Sequence, residues 1–122
     1  MLSLAVLTIA LANPWTHVQD GEIWAPNAGM LAVAQTSLES KVRHEARIRR
    51  LDLPKWSSYE FQYQGRFHDG QRVIFVSAFC YLPEEHSRDD FVVMSDGGTC
   101  FFEAKFDPVR GLFTTVVFHG TG

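Results

Sequence analysis

Residues 59–82, YEFQYQGRFHDGQRVIFVSAFCYL, decide the fold. In the first half, aromatic residues alternate with polar ones from Tyr59 to Phe67, which is the period of a half-buried strand. The pair Asp69-Gly70 then supplies the positive φ angles of a tight turn. The second half, Gln71 to Leu82, is apolar at nearly every position, which predicts a central strand covered on both faces for part of its length. The stretch therefore predicts a β-hairpin at the centre of an antiparallel sheet.

Two further strands are predicted downstream of this hairpin. The segments are, in chain order, a charged loop at 83–90, a short strand or extended run at 91–94, a turn at 96–98, a strand at 99–106, a hairpin loop at 107–111 and a last strand at 112–119. The turn contains Asp96-Gly97-Gly98, and the hairpin loop has turn-forming residues at both ends, Asp107 and Gly111. The sheet is therefore expected to be a meander.

One long helix is predicted upstream, over residues 29–50. Apolar residues recur at every fourth position and form a narrow stripe: Met30, Ala34, Leu38, Val42 and Ala46. Pro54 follows and stops the helix. A sheet with one apolar face needs a cover, and this helix can supply it. The predicted fold class is α+β, with one long helix packed on a curved antiparallel sheet of about four strands in the order α-β-β-β-β.

The N-terminal residues predict export. The chain has 122 residues, 46% of them hydrophobic, which suits one small domain. Residues 1–12, MLSLAVLTIALA, form an apolar run that ends in a small-x-small pattern typical of a signal-peptidase site. The run is short and no Lys or Arg precedes it, which a true start codon further upstream would explain. The alternative to export is a buried N-terminal helix or strand. Residues 13–28 are expected to be an irregular lead-in, and residues 29–122 a single α+β domain. The apolar run is too short to span a membrane.

The two cysteines are expected to form a disulfide. Cys80 lies near the end of the central strand and Cys100 near the start of the next, so the loop between them can bring them together. Such a bond suits a small exported domain and would stabilise it by about 3 kcal/mol in the chain-entropy account. The alternatives are two separate buried thiols, or Cys100 acting as a nucleophile with His86 or His119 as its base. Because Cys100 begins a strand, it lacks the positive helix N-terminus that would favour a thiolate.

Composition and motif content exclude several functional classes. The net charge of −3 disfavours nucleic-acid binding. The five histidines have none of the close spacings of a metal site, and no cofactor motif is present. The acidic residues of the loop at 83–90 lack the alternating ligand pattern of a calcium site and are interpreted as a solvated loop. No cofactor or metal is therefore expected.

Basic residues gather in the last turns of the predicted helix: Arg43, His44, Arg47, Arg49 and Arg50. Cations at this end complement the helix dipole, and we interpret the cluster in that way. A phosphate or anionic-lipid site is the alternative. Glu39, Glu45 and Asp52 lie nearby and dilute the positive field.

A sequence resemblance covers roughly residues 30–122. The residues that carry it are Trp56, Tyr59, Gln62-Tyr63, Gly65, Val73, Val76, Phe79-Cys80, Asp96-Gly97-Gly98, Cys100, Phe102, Asp107-Pro108, Gly111, Phe113 and Phe118-His119-Gly120. In this layout the chain resembles a group of small uncharacterised bacterial exported proteins with a C-terminal Cys…DGGxCxF…DPxxGxF unit. The resemblance implies an envelope or secreted location and assigns no activity.

The order of a helix followed by four strands also resembles the cystatin-like grip, as an analogy of architecture only. Cystatin inhibitors of papain-like proteases use a Gln-x-Val-x-Gly hairpin. Here Gln62-Tyr63-Gln64-Gly65 differs from it in spacing and in position, because it does not lie at a hairpin tip.

The function expected from these observations is that of a non-catalytic binding or inhibitor-type module, periplasmic or secreted. It would bind an envelope or secreted protein through its sheet or hairpin tips. The candidate binding surface comprises Phe67, His68, Asp69, Asp107 and Arg110. The first alternative is a small thiol-dependent hydrolase that uses Cys100 with a nearby His. The second is a structural subunit that dimerises through an exposed edge strand.

Overall fold

The computed structural model describes residues 14–94 and 96–119. The apolar run at 1–12 and Gly120 lie outside the described residues. The predicted α+β class is confirmed, because one long helix packs against a single sheet. The elements are β1 (Trp15–His17), α1 (Ala28–Arg49), a 3-10 turn (Trp56–Ser58), β2 (Glu60–His68), β3 (Gln71–Phe79), β4 (Gly98–Asp107) and β5 (Leu112–His119).

The sheet has five strands, not the predicted four, in the spatial order β1-β2-β3-β4-β5. β2 to β5 form the predicted antiparallel meander, and β1 adds to β2 in parallel, which makes the sheet mixed. β1 belongs to the segment that was predicted to be irregular. Three residues are too few to show an alternating pattern. The strand is held instead by ring packing, since Trp15 lies 5.5 Å from Phe61 and His17 stacks on Tyr63 at 4.7 Å between ring centroids.

The helix begins and ends close to its predicted limits. Asn27 is the N-cap, and its side-chain oxygen accepts a hydrogen bond of 2.8 Å from the Met30 amide. At the other end Arg50 adopts a left-handed conformation, and the Leu51 amide donates to the Ala46 carbonyl at 2.9 Å. The predicted apolar stripe faces the sheet and is buried from Ala34 onward. α1 therefore covers one face of the sheet, which we call the helix face.

The core on the helix face is rich in aromatic side chains. Phe102 is in ring contact with Tyr59, Phe61 and Phe118, at centroid distances between 5.1 and 6.5 Å. The 3-10 turn after α1 places Trp56 against the same rings. Rings in tilted and edge-to-face arrangements contribute about 0.5–1.5 kcal/mol per pair beyond the burial of their area. This cluster joins the turn after the helix to β2, β4 and β5.

The opposite face of the sheet is covered by residues 81–94, which we call the cover loop. It contains no strand among its residues, so the extended run foreseen at 91–94 is not paired in the sheet. It is held by side chains instead. The Gln62 side chain donates to the carbonyls of Arg88 at 3.0 Å and Asp90 at 2.7 Å, and accepts from the Val92 amide at 2.8 Å. The Ser77 hydroxyl donates to the Val92 carbonyl. β2 is therefore buried on both faces over part of its length, whereas the sequence predicted burial on one face.

The outer edge of β2 is covered by the segment between β1 and α1. Trp24 forms a bridge to Gly65, and its indole N–H donates to the Arg66 carbonyl at 2.8 Å. A Cβ atom at Gly65 would lie 1.9 Å from the Trp24 carbonyl oxygen, so only glycine permits this close approach. Glu22 accepts from the Gly65 amide at 2.9 Å. The segment thus protects one edge of the sheet.

Candidate functional site

The turn between β2 and β3 carries three of the predicted binding residues. Phe67 and His68 end β2, and Asp69 begins the two-residue turn. Asp69 and Gly70 have φ angles of 50° and 77°, the pattern of a type I′ turn. Phe67 is 51% exposed. The His68 Nε2 atom lies 3.4 Å from Asp69 Oδ2, and both side chains are exposed. The turn therefore presents an aromatic ring and two titratable groups to solvent.

The turn between β4 and β5 carries the other two predicted residues in different roles. Asp107 is 9% exposed, and its Oδ1 atom accepts from the amides of Val109 at 2.9 Å and Arg110 at 3.1 Å. Its carboxylate thus organises the turn and does not face outward. Arg110 lies at the exposed tip beside Val109, whose side chain is 92% exposed. Val109 was absent from the predicted surface because an apolar residue in a turn gives no binding signal.

The two turns lie at the same end of the sheet. β3 pairs with β4 in a register that matches Ile74 with Phe106, so the start of β3 and the end of β4 are side by side. Lys105 Nζ lies 3.3 Å from His68 Nδ1 and connects the two hairpins directly. We call residues 67–70 and 107–112 together the hairpin end. It brings together all five residues of the predicted binding surface, although the Asp107 side chain is buried and supports the turn by hydrogen bonds.

The cysteines are neighbours across β3 and β4. The Cys80 amide donates to the Cys100 carbonyl at 2.9 Å, which places the two residues side by side. Both are free and half-buried in this structure. Burial, together with the neighbouring Cys100 thiol, raises the pKa of the Cys80 thiol to about 12. Cys80 is therefore a neutral thiol at physiological pH and a poor nucleophile.

Neither histidine of the hypothetical thiol enzyme forms a hydrogen bond with a cysteine in the described part of the chain. His86 lies in the cover loop, with Nδ1 3.3 Å from the Glu84 carbonyl. His119 Nε2 lies 3.2 Å from Glu103 Oε1, in a geometry that makes no hydrogen bond. The catalytic pairing of Cys100 with either residue is thus not assembled here.

The buried Tyr59 lies beside the cysteine pair. Its hydroxyl donates to the Thr99 carbonyl. Burial raises the pKa of Tyr59, and the neighbouring thiols of Cys80 and Cys100 raise it further. The phenol therefore stays protonated and ties the start of β4 to the helix-face core.

The basic cluster of α1 divides into paired and unpaired residues. Arg43 donates to Glu39 at 2.8 Å, and Arg49 donates to the Val116 carbonyl of β5 at 3.2 Å. Among residues 14–94 and 96–119, Arg47 and His44 have no ion-pair partner. Arg47 lies in the last turn, where a cation complements the helix dipole without an ion-pair partner.

No group of three or more His, Cys, Asp or Glu side chains among the described residues is arranged to hold a metal ion. The described helices include none that is long and apolar enough to cross a membrane.

Sequence reasoning missed the polar anchors of the cover loop and of the segment that follows β1. Gln62 and Gln64 alternate with aromatic residues and were therefore expected to face solvent. Each is almost completely buried, and Gln64 donates to the carbonyls of Val18 and Asp20, both at 3.0 Å. One signal could have identified them. An amide side chain can both donate and accept hydrogen bonds, and the chain has two of them in one strand and also has irregular segments whose backbone groups need partners.

Comparison with known proteins gave no match: no family model, curated protein or solved structure resembles this chain closely enough to be assigned.

Proposed function

We propose that this chain is a small exported binding domain that recognises an envelope or secreted protein through its hairpin end. The observation that carries the proposal is the display of three exposed apolar side chains on two adjacent turns. These are Phe67, Val109 and Leu112, which are 51%, 92% and 40% exposed. Exposure of apolar side chains to water on ordered turns is unfavourable in free energy, and a partner that buries them makes binding favourable.

The charged groups around these side chains suit a protein partner. His68, Asp69 and Arg110 surround the apolar residues, and protein interfaces combine an apolar centre with a polar rim in this way. Aromatic residues and arginine are also the types that contribute most to such interfaces. The two hairpins are joined by the sheet register and by the contact of Lys105 with His68. The surface is thus largely ordered before binding, which lowers the entropy cost of association.

Export is the second part of the proposal, and it includes a disulfide between Cys80 and Cys100. The hydrogen bond from the Cys80 amide to the Cys100 carbonyl makes the two residues neighbours and supports that pairing. In the oxidising envelope, an oxidised disulfide of a thiol oxidoreductase would exchange with the two thiols. The new bond would form between the two sulfur atoms of this chain, and the oxidoreductase would leave with both electrons and both protons as a dithiol. The bond would close the segment that contains the cover loop.

The binding proposal is tested by a photo-crosslinking residue placed at Val109 in the chain expressed in a bacterial host with its envelope intact. The matched control carries the same residue at Ile48, which is 64% exposed on α1. We expect a discrete protein adduct from position 109 and none from position 48. The partner, once identified by mass, is purified and its affinity measured by calorimetry.

Two substitutions then decide whether the hairpin end is the contact surface. We expect Phe67→Ser and Arg110→Ser each to weaken binding by about tenfold or more, as anchor residues do. Ile48→Ser should leave the affinity unchanged. Equal adducts from positions 109 and 48, or wild-type affinity in both hairpin variants, would overturn the proposal.

Export and the disulfide are tested together by the intact mass of the product before and after reduction. We expect a chain that lacks residues 1–12 and gains two hydrogens on reduction. A full-length chain with two free thiols would contradict both. In that case Cys100 becomes the residue to test for the alternative, a thiol-dependent hydrolase, through loss of activity in Cys100→Ser.

A further inference from the structure

A cleft of about 500 Å³ lies between α1 and the start of β5. This volume is within the range of small-molecule sites. One wall is a single face of α1, whose residues recur at helical spacing. The lining residues are Ser37, Ser40, Lys41, His44 and Arg47 on the helix and Gly111, Leu112 and Phe113 on the strand. We call this feature the α1–β5 cleft.

The side chains of the α1–β5 cleft are basic in a chain whose net charge is −3. Lys41, His44 and Arg47 line it, and no acidic side chain does. Lys41 Nζ lies 3.4 Å from Glu45 Oε1, and Glu45 is outside the lining. Arg47 has no ion-pair partner in the described ranges. The cleft is therefore a positively charged region on a protein whose net charge is negative.

Arg47 occupies the centre of this basic region. It lines the α1–β5 cleft and also two smaller depressions on the neighbouring surface of the helix. Its guanidinium group presents five N–H donors in a planar fork that matches the oxygens of a phosphate. The Ser40 hydroxyl is exposed and makes no hydrogen bond within residues 14–94 and 96–119, so it is available as another donor. By contrast, the Ser37 hydroxyl already donates to the Val33 carbonyl at 2.6 Å.

We propose that the α1–β5 cleft binds a phosphomonoester, with the phosphate on Lys41, His44 and Arg47 and the organic part of the ligand against Leu112. A phosphomonoester carries about −1.5 to −2 charge at pH 7 and three strong acceptor oxygens. Three basic side chains complement that negative charge, and their N–H groups and a free hydroxyl can donate hydrogen bonds to the phosphate oxygens. Leu112 is 40% exposed at the other wall and supplies an apolar surface for the ester group.

This inference goes beyond the proposed function, because its ligand is a small anion and its phosphate contacts are on α1. Leu112 is shared by the two surfaces, so the decisive variants are placed at Arg47. Loss of anion binding and loss of partner binding can then be told apart.

The test is a titration of the ¹⁵N-labelled chain with inorganic phosphate and with phenyl phosphate, at constant ionic strength, followed by amide chemical shifts. We expect saturable shifts at Lys41, His44, Arg47 and Leu112. Arg47→Ser should weaken both ligands by about tenfold, as the loss of a charged hydrogen-bonding group does. Leu112→Ser should weaken phenyl phosphate by about threefold and leave inorganic phosphate unchanged.

The matched control is Arg88→Ser. Arg88 is exposed and pairs with Glu60 beside the cover loop, so this variant makes the same change in net charge away from the cleft. We expect its affinity for both ligands to equal that of the wild type. Equal losses in Arg88→Ser and Arg47→Ser would show nonspecific charge attraction and overturn the proposal. The absence of saturable binding up to about 20 mM of either ligand would also overturn it.

A second arm distinguishes a soluble phosphomonoester from a lipid headgroup. The chain is mixed with phosphatidylcholine vesicles that contain or lack phosphatidic acid, whose phosphate is also a monoester. Binding to phenyl phosphate but not to these vesicles would assign the cleft to a soluble ligand. Binding to phenyl phosphate and also to phosphatidic acid vesicles, with both lost in Arg47→Ser, would assign it to a lipid headgroup.

Discussion

The two faces of the sheet are covered by different means. On the helix face, apolar side chains of α1 meet aromatic rings of the strands. On the opposite face, the cover loop packs on a smaller apolar cluster that includes Phe79, Val92 and Phe101, and Phe91 contacts Phe75. Gln62 and Ser77 hold the cover loop by hydrogen bonds to its backbone. Burial of apolar area thus stabilises one layer, and the directional bonds of two side chains position the other.

The strongest test of this contrast is Phe102→Ala. The ring is buried against Tyr59, Phe61 and Phe118, so its removal leaves a cavity in the helix-face core. We expect the free energy of unfolding to fall by about 3–5 kcal/mol, measured by chemical denaturation. Phe67→Ala is the control, since its exposed ring should cost less than about 1 kcal/mol. Similar losses in the two variants would contradict the assignment of the core.

Gln62→Met tests the cover loop with almost no change in side-chain volume. It removes the donors to the Arg88 and Asp90 carbonyls and the acceptor for the Val92 amide. We expect a loss of about 2 kcal/mol, because buried backbone groups lose their partners. Hydrogen exchange should accelerate at the Val92 amide and remain slow at Val76 in β3. Unchanged protection of Val92 would show that the apolar cluster alone holds the loop.

Ser77→Ala removes one hydrogen bond from the same attachment. The hydroxyl donates to the Val92 carbonyl in a buried position. We expect a cost of about 1 kcal/mol in the free energy of unfolding, since the loop keeps its bonds to Gln62. The double variant with Gln62→Met should lose less than the sum of the single losses, because both substitutions release the same segment. Strict additivity would mean that the two side chains act independently.

Glu60→Gln is expected to have the smallest effect on stability, and that effect depends on pH. The hydrogen bond from Arg88 lowers the pKa of Glu60, and burial opposes this shift in part. A depressed folded-state pKa stabilises the protein above the unfolded value of about 4.3, and that contribution is lost as pH falls through the folded pKa. We expect the wild type to lose more stability than Glu60→Gln between about pH 5 and pH 3. The exposed pair is screened by solvent, so the effect should be below that of Ser77→Ala.

The contrast between the faces also explains what the sequence could predict. The stripe from Ala34 to Ala46 and the aromatic alternation of β2 are periodic, and both elements lie where they were predicted. The role of Gln62 depends on backbone groups far along the chain, and the same glutamine in a strand would equally suit a solvated face. β1 was missed for a similar reason, because its partner β2 lies beyond the whole of α1.

The candidate site shows the same limit. Turn residues predicted the positions of the two hairpins, and the register of β3 with β4 brings the turns together. The sequence could not show that Asp107 faces inward, since Asp is common in turns whichever way it points, or that Val109 faces outward, since an apolar residue is more often buried. Within the basic cluster, Arg43 forms an ion pair with Glu39, whereas Arg47 forms none among the described residues. The sequence does not distinguish these two arginines.

The parallel pairing of β1 has a consequence for the order in which the chain folds. The two hairpins close over turns of two and four residues. The pairing of Trp15 with Phe61, by contrast, closes a long loop that contains the helix and its connections. Closing that long loop costs more entropy, so β1 is expected to dock after the hairpins have formed. Substitutions at Trp15 should therefore accelerate unfolding and leave the folding rate nearly unchanged. The first strand of the chain would then be the last to join the sheet and the first to leave it.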